Sequence, residues 1–439
     1  MHLSSLAGTV VKLTRVVITS ALIIVPLAGC ASLPEVDPDL ACTIKTPNEA
    51  ASLAIMEKQG TAISGAPFVP GNLVTLLKNG PATYAALRQA IENAKTRIEM
   101  ESYEFDGPVA QSFGELLLRK RSEGVTVRLI YDAWGSNDTP GALFDHLRKG
   151  GIQVVEYSPF DPAKMITLDI NRRDHRKLLV VDGRIAITGG VNISQVYKNR
   201  RHGNNAADPD LMAWRDTDVQ IEGPVVPDFE RLFVETWRSQ NGPPIADPPP
   251  IVPPAQGDST ISAIDGSPNN NHPAIYRTLL VAMSVARTSI HLTTGFFVPT
   301  PDLEQAFKCA ARRGVDVRIV VPETSTSSLS VNAGRAQYTE LLEAGVHIYE
   351  RQHTVLHAKT AVIDGVWSAV GSSNLDWRSV VFNNEIDAII LGPHFGQQME
   401  ELFQHDEAES IEIDPAKWRH RPLGERLHEF GARIFDVFL

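Results

Sequence analysis

What this 439-residue chain lacks narrows the choices first. It has only 3 cysteines, no CxxC pair and no clustered His/Cys set, so nothing in it resembles a zinc site or a dithiol redox centre. It has no basic excess: 41 Lys and Arg against 52 Asp and Glu leave a net charge of −11. That balance argues against a nucleic-acid partner, because binding a polyanion recruits a basic surface. Nor is there a comfortable membrane span. The apolar run at 16–29, VVITSALIIVPLAG, is short and interrupted by Pro26. What remains is ordinary globular composition, 43% hydrophobic and 21% charged, in a chain long enough for two domains with a core each.

The short apolar run has a different use. Lys12 and Arg15 precede it, and Leu27-Ala28-Gly29-Cys30 closes it. This is the layout of a secretion signal, with residues 1–29 as signal peptide, ending in what looks like the lipobox of a bacterial lipoprotein. Cys30 is then the expected lipidation site, anchoring the protein to a membrane. Ala31, a non-acidic residue after the cysteine, resembles the outer-membrane sorting class, so a periplasm-facing, lipid-anchored place in a bacterial envelope is expected. Residues 30–66 read as a tether rich in small, polar and proline residues. Cys42 and Cys309 remain; a disulfide between them is open, with two free thiols as the expectation.

A long internal duplication follows. HRKLLVVDGRIAITGGVN carries His175, Lys177, Asp182, Gly189, Gly190 and Asn192; HAKTAVIDGVWSAVGSSN carries His357, Lys359, Asp364, Gly371, Ser372 and Asn374, at the same spacing. One HxKxxxxD pattern is weak, whereas two with matching tails are strong. The upstream segments repeat as well. Helix-like runs at 83–96 and 274–288 precede strand-like runs; amphipathic helices at 108–124 and 301–314 come next; then a β-rich run, a helix, a strand and the motif. Alternation of this kind argues for an α/β domain on a largely parallel sheet. The proline-dense stretch 241–258 separates a first domain, 67–240, from a second, 259–439. The chain ends in a run with Leu423, Leu427, Phe430 and Ile434 at helical spacing, an amphipathic helix whose default is docking on the core.

Chemistry follows from the residue types. Within each motif the His and Lys two apart point to one face of an extended stretch. An imidazole attacks or protonates, a lysine neutralises charge, and Asn192, Asn374 and Ser372 can donate to phosphate oxygens. Two such sets meet the needs of a two-step phosphodiester exchange.

On these motifs, and on segments such as RLIYDAWGS, WRDTDVQIEGP and SNLDWRSVVFNNE, the chain resembles the phospholipase D superfamily, and within it bacterial cardiolipin synthases. The resemblance runs from about residue 68 onward. It implies two phospholipase D-like domains, mixed sheets flanked by helices, packed face to face about a pseudo-twofold axis with His175 and His357 on opposite sides of one phosphate site. It implies that Asp182 and Asp364, though part of the catalytic motif, turn away to fix the turn through hydrogen bonds. It implies an acid holding the motif histidines, with Glu385 in FNNE and Asp216 in WRDTD in that role, and Asn383 near the pocket. It implies a phosphohistidine intermediate, phospholipid substrates such as phosphatidylglycerol, and no cofactor or metal. The activity it implies is phosphatidyl transfer of the cardiolipin synthase type, with hydrolysis to phosphatidic acid as the alternative and a secreted nuclease or a non-catalytic lipid-binding role ranked below both; which histidine attacks, the exact donor and acceptor, and the oligomeric state stay open. GFFVP (295–299) departs from the usual segment by Gly295 and Phe296. Trp134, Phe160 and Trp377 are candidates for an apolar mouth, with core packing the expectation. Lys198, Arg200, Arg201 and His202 form a cluster that fits anionic headgroups or a solvated loop.

Overall fold

A computed structural model describes residues 42, 48–160, 171–198, 212–245, 252–267, 273–325, 327–422 and 424. All belong to one compact unit, Asp37–Leu439. The signal segment with Cys30, residues 200–202 and most of the C-terminal amphipathic run lie outside the described residues.

Among the described residues, fifteen strands form one continuous sheet. At its middle, Val69–Lys78 and Ser259–Asp265 pair antiparallel, one from each repeat. Outward from Val69–Lys78 come Thr217–Glu222, Ile185–Gly189, Lys177–Val181, Arg97–Ser102, Thr126–Asp132 and Gln153–Tyr157. Outward from Ser259–Asp265 come Ile386–Leu391, Trp367–Gly371, Lys359–Ile363, Ser289–Thr294, Asp316–Pro322 and His347–Arg351, so the order repeats, and Ser410–Glu412 adds an edge. Arg97–Ser102, Thr126–Asp132 and Gln153–Tyr157 run parallel, as do Ser289–Thr294, Asp316–Pro322 and His347–Arg351, the crossover product of the strand–helix alternation; the inner pairings and that of the Ser410–Glu412 edge are antiparallel. The expected α/β class with mixed sheets is the observed one, but the sheet is not largely parallel: among the described strands four of its fourteen pairings are parallel and ten antiparallel, because each motif strand turns back through a tight turn instead of a helical crossover.

The helices form where amphipathic spacing meets a start signal. Val226–Ser239 opens with Pro227 and buries Val226, Phe229, Leu232, Phe233, Thr236 and Trp237, an i, i+3, i+4 stripe. Its counterpart Pro393–Ala408 buries Phe395, Met399, Leu402 and Phe403. Both stripes enter a core shared by the repeats, in which Val180, Phe229 and Phe233 pack with Val362, Val370 and Ile390. The halves therefore join twice, edge to edge through the sheet and face to face through this core.

Two further expectations fail here. Residues 49–64 are a helix, Glu49–Ser64, capped by the Asn48 side chain, which accepts from the Ala51 N–H. Its buried positions are Ser52, Met56 and Gly60, two small residues about one large apolar one, and it packs on the helix Ala274–Val285. With no apolar stripe to mark it, the segment reads as tether. Cys42 and Cys309 are paired as a disulfide, with Cα atoms 4.8 Å apart, rather than free. Cys309 sits on the buried face of Pro301–Arg312, so the bond ties the N-terminal segment to the second repeat.

Candidate active site

Each motif begins just before a buried five-residue strand, Lys177–Val181 or Lys359–Ile363, and ends in a tight turn at its far end. Asp182 and Asp364 occupy those turns with φ of 55° and 52°. Aspartate tolerates this left-handed region better than most residues. Asp182 accepts from the backbone N–H groups of Lys95, Thr96 and Arg97 at 2.7–2.9 Å and from the Thr96 hydroxyl at 2.7 Å. Asp364 repeats this with Arg287, Thr288 and Ser289. These bonds, led against burial by the one from Arg97, hold the Asp182 carboxyl below its ordinary value. A full five-residue strand, roughly 16 Å long at the strand rise, lies between each aspartate and its motif histidine.

The histidines are brought together by two short parallel pairings between repeats. Arg173–Asp174 pairs with Asn383–Asn384, and the His175 N–H donates to the Asn384 carbonyl at 2.9 Å. Thr354–Leu356 pairs with Ala213–Arg215, and the His357 N–H donates to the Arg215 carbonyl at 2.8 Å. The next residue on each partner strand is an acid. His175 Nδ1 therefore lies 3.0 and 3.1 Å from the two carboxylate oxygens of Glu385, and His357 Nδ1 lies 2.7 Å from Asp216 Oδ2. Each repeat supplies the acid for the other's histidine. Both pairs are buried. With Nδ1–H committed to a carboxylate, Nε2 is the nitrogen left for chemistry.

The acids are themselves supported. Ser372 donates to Glu385 at 2.5 Å, Ser379 at 2.8 Å and Asn383 at 3.2 Å. Ser372, expected on a phosphate, is spent on Glu385 instead. Gly190 leaves room for Asp216, since a Cβ there would meet its carboxylate at 2.1 Å. Tyr197 OH lies 3.2 Å from His357 Nδ1 and accepts from Asn192 Nδ2 at 3.2 Å. Asn192 Oδ1 takes the Glu104 N–H at 3.3 Å, so this residue braces the site, whereas Asn374 lines the open cavity.

Burial, partly countered by Glu385, lowers His175 to about 4, and burial together with Lys359 lowers His357 to about 3, so both are neutral when the site is empty. Burial also brings Lys177 and Lys359 down to about 8. Each lysine donates to the backbone carbonyl of its own histidine, Lys177 at 2.5 Å. Burial raises the Glu385 carboxyl, but His175, Lys177 and Ser372 outweigh it and hold the group low and ionised.

Both histidines face one cavity of about 350 Å³, also lined by Tyr103, Trp214, Phe296, Arg173 and Arg378. The Tyr103 ring stands edge-on to His175 with centroids 5.1 Å apart; Trp214 and Phe296 lie 5.3 and 6.3 Å from the His357 ring. Gly295 is explained by proximity: a Cβ would sit 2.7 Å from His357 Cα. Sequence reasoning missed Tyr103, Glu104, Tyr197 and Trp214. Tyr103 and Glu104 directly follow the parallel strand Arg97–Ser102, and the carboxyl end of a parallel strand is where α/β sites collect. Trp134 and Phe160, expected in the core, are 57% and 69% exposed; Trp134 lies beneath Arg173, 5.8 Å from its guanidinium carbon. Trp377 is half-buried. Among the described residues, no group of three or more His, Cys, Asp or Glu is placed to hold a metal.

Comparison with known proteins matches this geometry to a lineage. The family model described as "Cardiolipin synthase, PLD-like domain" matches residues 87–213 and 279–407, one copy per repeat. The cardiolipin synthase of Geobacillus thermodenitrificans is 31% identical over 379 residues, covering 85% of this chain and 74% of that protein. Cardiolipin synthase 2 of Bacillus cereus is 31% identical, covering 83% and 70%. Among solved structures, the phosphatidylserine synthase of Haemophilus influenzae superposes with a TM-score of 0.61 at 13% identity, covering 88% of this chain and all of that one, a likeness of fold.

Proposed function

Because the chain belongs to the phospholipase D-like family of cardiolipin synthases, we propose that it is a phosphatidyltransferase working on glycerophospholipids through a phosphohistidine. The observation that carries this is the pair of imidazoles facing one cavity, each with Nδ1 held by a buried carboxylate from the opposite repeat.

The steps follow from the residues. His175 Nε2 attacks the phosphorus of the donor lipid; a P–N bond forms and the P–O bond to the leaving alcohol breaks. His357 gives that alcohol its proton. In the empty site His357 is neutral, but an anionic phosphate beside it, with Asp216 behind, raises its proton affinity so that it enters the complex as an imidazolium. Lys177 and Lys359 neutralise the transferring phosphoryl group. In the second half, His357 takes the proton of an incoming hydroxyl, whose oxygen displaces His175. Arg173 and Arg378 at the same cavity suit a second anionic headgroup, which favours a lipid acceptor over water.

The protein is further proposed to sit on a bacterial envelope membrane, anchored through lipid on Cys30 and facing the periplasm, with phosphatidylglycerol or a close relative as donor. The test is incubation with phosphatidylglycerol vesicles and mass spectrometry of the lipids. Cardiolipin and glycerol, absent with His175→Ala and with His357→Ala, support transfer. Phosphatidic acid as the sole product replaces it with hydrolysis.

A further inference from the structure

The duplication provides an internal comparison. Behind each motif, between the first helix of its repeat and the sheet, lies a cavity, and the two occupy equivalent places. In the first repeat it is nearly filled, at about 20 Å³; in the second it is about 50 Å³. The difference traces to three positions. Four, twelve and sixteen residues after the motif histidine, the first repeat has Leu179, Ile187 and Val191, all buried; the second has Ala361, Ala369 and Ser373. Trp367 and Ile275, larger than their counterparts Ile185 and Thr83, take up part of the space, yet the cavity remains. Close packing is the rule in protein interiors, and a void lined by trimmed side chains is unfavourable unless something enters it.

The enlarged cavity adjoins the catalytic one. Asn374 lines both it and the catalytic cavity, and Lys359 lines it two residues from His357. Ser379 lines it and holds Glu385. Away from these groups its wall is mostly hydrocarbon, including Leu279, Leu292 and the two alanines, with Thr293, Thr360 and Asp387 as further polar members. An apolar cavity of this kind resists water and accepts apolar ligands. Beside a phosphate site, the apolar group on hand is the one covalently attached to that phosphate's own glycerol.

We infer that the cavity behind Lys359 and Asn374 seats the glycerol-proximal methylenes of an acyl chain on the lipid whose phosphate lies between His175 and His357. The inference rests on the phospholipid reading above. It makes the two repeats unequal: both contribute a histidine, but the second alone receives hydrocarbon.

The test is photolabelling of the full protein with phosphatidylglycerol bearing a diazirine near the carboxyl end of one acyl chain. The expected labels fall within Ala274–Val285 and on Leu292 or Ala361, and drop at least tenfold in Ala361→Leu/Ala369→Ile/Ser373→Val, which installs the first repeat's residues. Ala369→Val, a smaller change, is made alongside in case the triple variant does not fold. Labels elsewhere, or undiminished in a folded variant, overturn the inference. Labelling at these residues without turnover of phosphatidylglycerol would sink the transferase reading and keep the cavity; turnover without such labelling does the reverse.

Discussion

Glu385, from the second repeat, grips the imidazole of His175, from the first, through both carboxylate oxygens at 3.0 and 3.1 Å. The reciprocal contact is Asp216 with His357 at 2.7 Å. Neither dyad exists within a single repeat. The crossing is imposed by backbone, since Asn383–Asn384 runs alongside Arg173–Asp174 and sets the following residues next to each other. The duplicated motif is thus a half-site, and the shared core that joins the halves is a condition of the chemistry.

Glu385→Gln follows directly. The amide is close in shape but carries no charge, so it no longer fixes the tautomer of His175 or stabilises a positive imidazole. By analogy with the loss of the orienting acid in a serine protease triad, kcat is expected to fall roughly 10³–10⁴-fold. KM changes little, because the carboxylate touches the histidine and not the lipid. Steady-state kinetics with thermal melting separates this from misfolding; a variant that melts normally and keeps full kcat refutes the assignment.

Asp182 makes the opposite prediction. Its carboxylate collects three backbone N–H groups and one hydroxyl at the start of Arg97–Ser102, far from the histidines. Asp182→Ala leaves those donors without their charged acceptor, which costs on the order of 2–3 kcal/mol. Urea titration should show that loss, while kcat per folded molecule stays within a few-fold of the parent. Asp364→Ala should behave alike. A large drop in kcat at unchanged stability would instead place the aspartate in the reaction.

Much of this site is legible in the sequence because it is written twice. A fixed spacing from His to Asn and a repeated order of helix and strand survive without coordinates, since they are local. What is not legible is whatever depends on the partner repeat. Nothing near Glu385 in the chain announces that it serves His175, 210 residues away. Ser372 looks like a phosphate donor by position, yet its hydroxyl turns to Glu385 once that acid is inserted beneath it. The helix Glu49–Ser64 is hidden for another reason: of its buried positions Ser52, Met56 and Gly60, only Met56 is a large apolar residue, so no apolar stripe marks it.

The anchoring reading makes its own prediction. Cys30 follows Leu27-Ala28-Gly29, and the first 30 residues hold two basic residues and no acid. Cells fed labelled palmitate should incorporate it into the parent protein and not into Cys30→Ser, which should shift from the membrane to the soluble fraction. Two attached acyl chains are enough for stable anchoring, whereas one is marginal. Unchanged labelling of Cys30→Ser would rule the lipobox out.

The buried histidines also set how stability responds to acid. In the native state His175 titrates near 4 and His357 near 3; in the unfolded chain both return to about 6.5. Below pH 6.5 the unfolded state therefore binds two protons that the native state refuses, and stability falls as pH falls, less steeply once His175 charges around 4, until His357 charges around 3. The slope approaches twice 1.36, or about 2.7 kcal/mol per pH unit, at its steepest. Carboxyls raised by burial, such as Asp376 at about 7, act in the opposite sense, so the parent's own curve is a sum. The difference between parent and His175→Asn/His357→Asn isolates the histidines, because asparagine keeps a donor for each acid and cannot charge. Urea midpoints at pH 7 and pH 5 should show the parent losing more stability than the double variant across that interval. Equal losses would mean that the imidazoles are solvated, or already charged, in the folded protein.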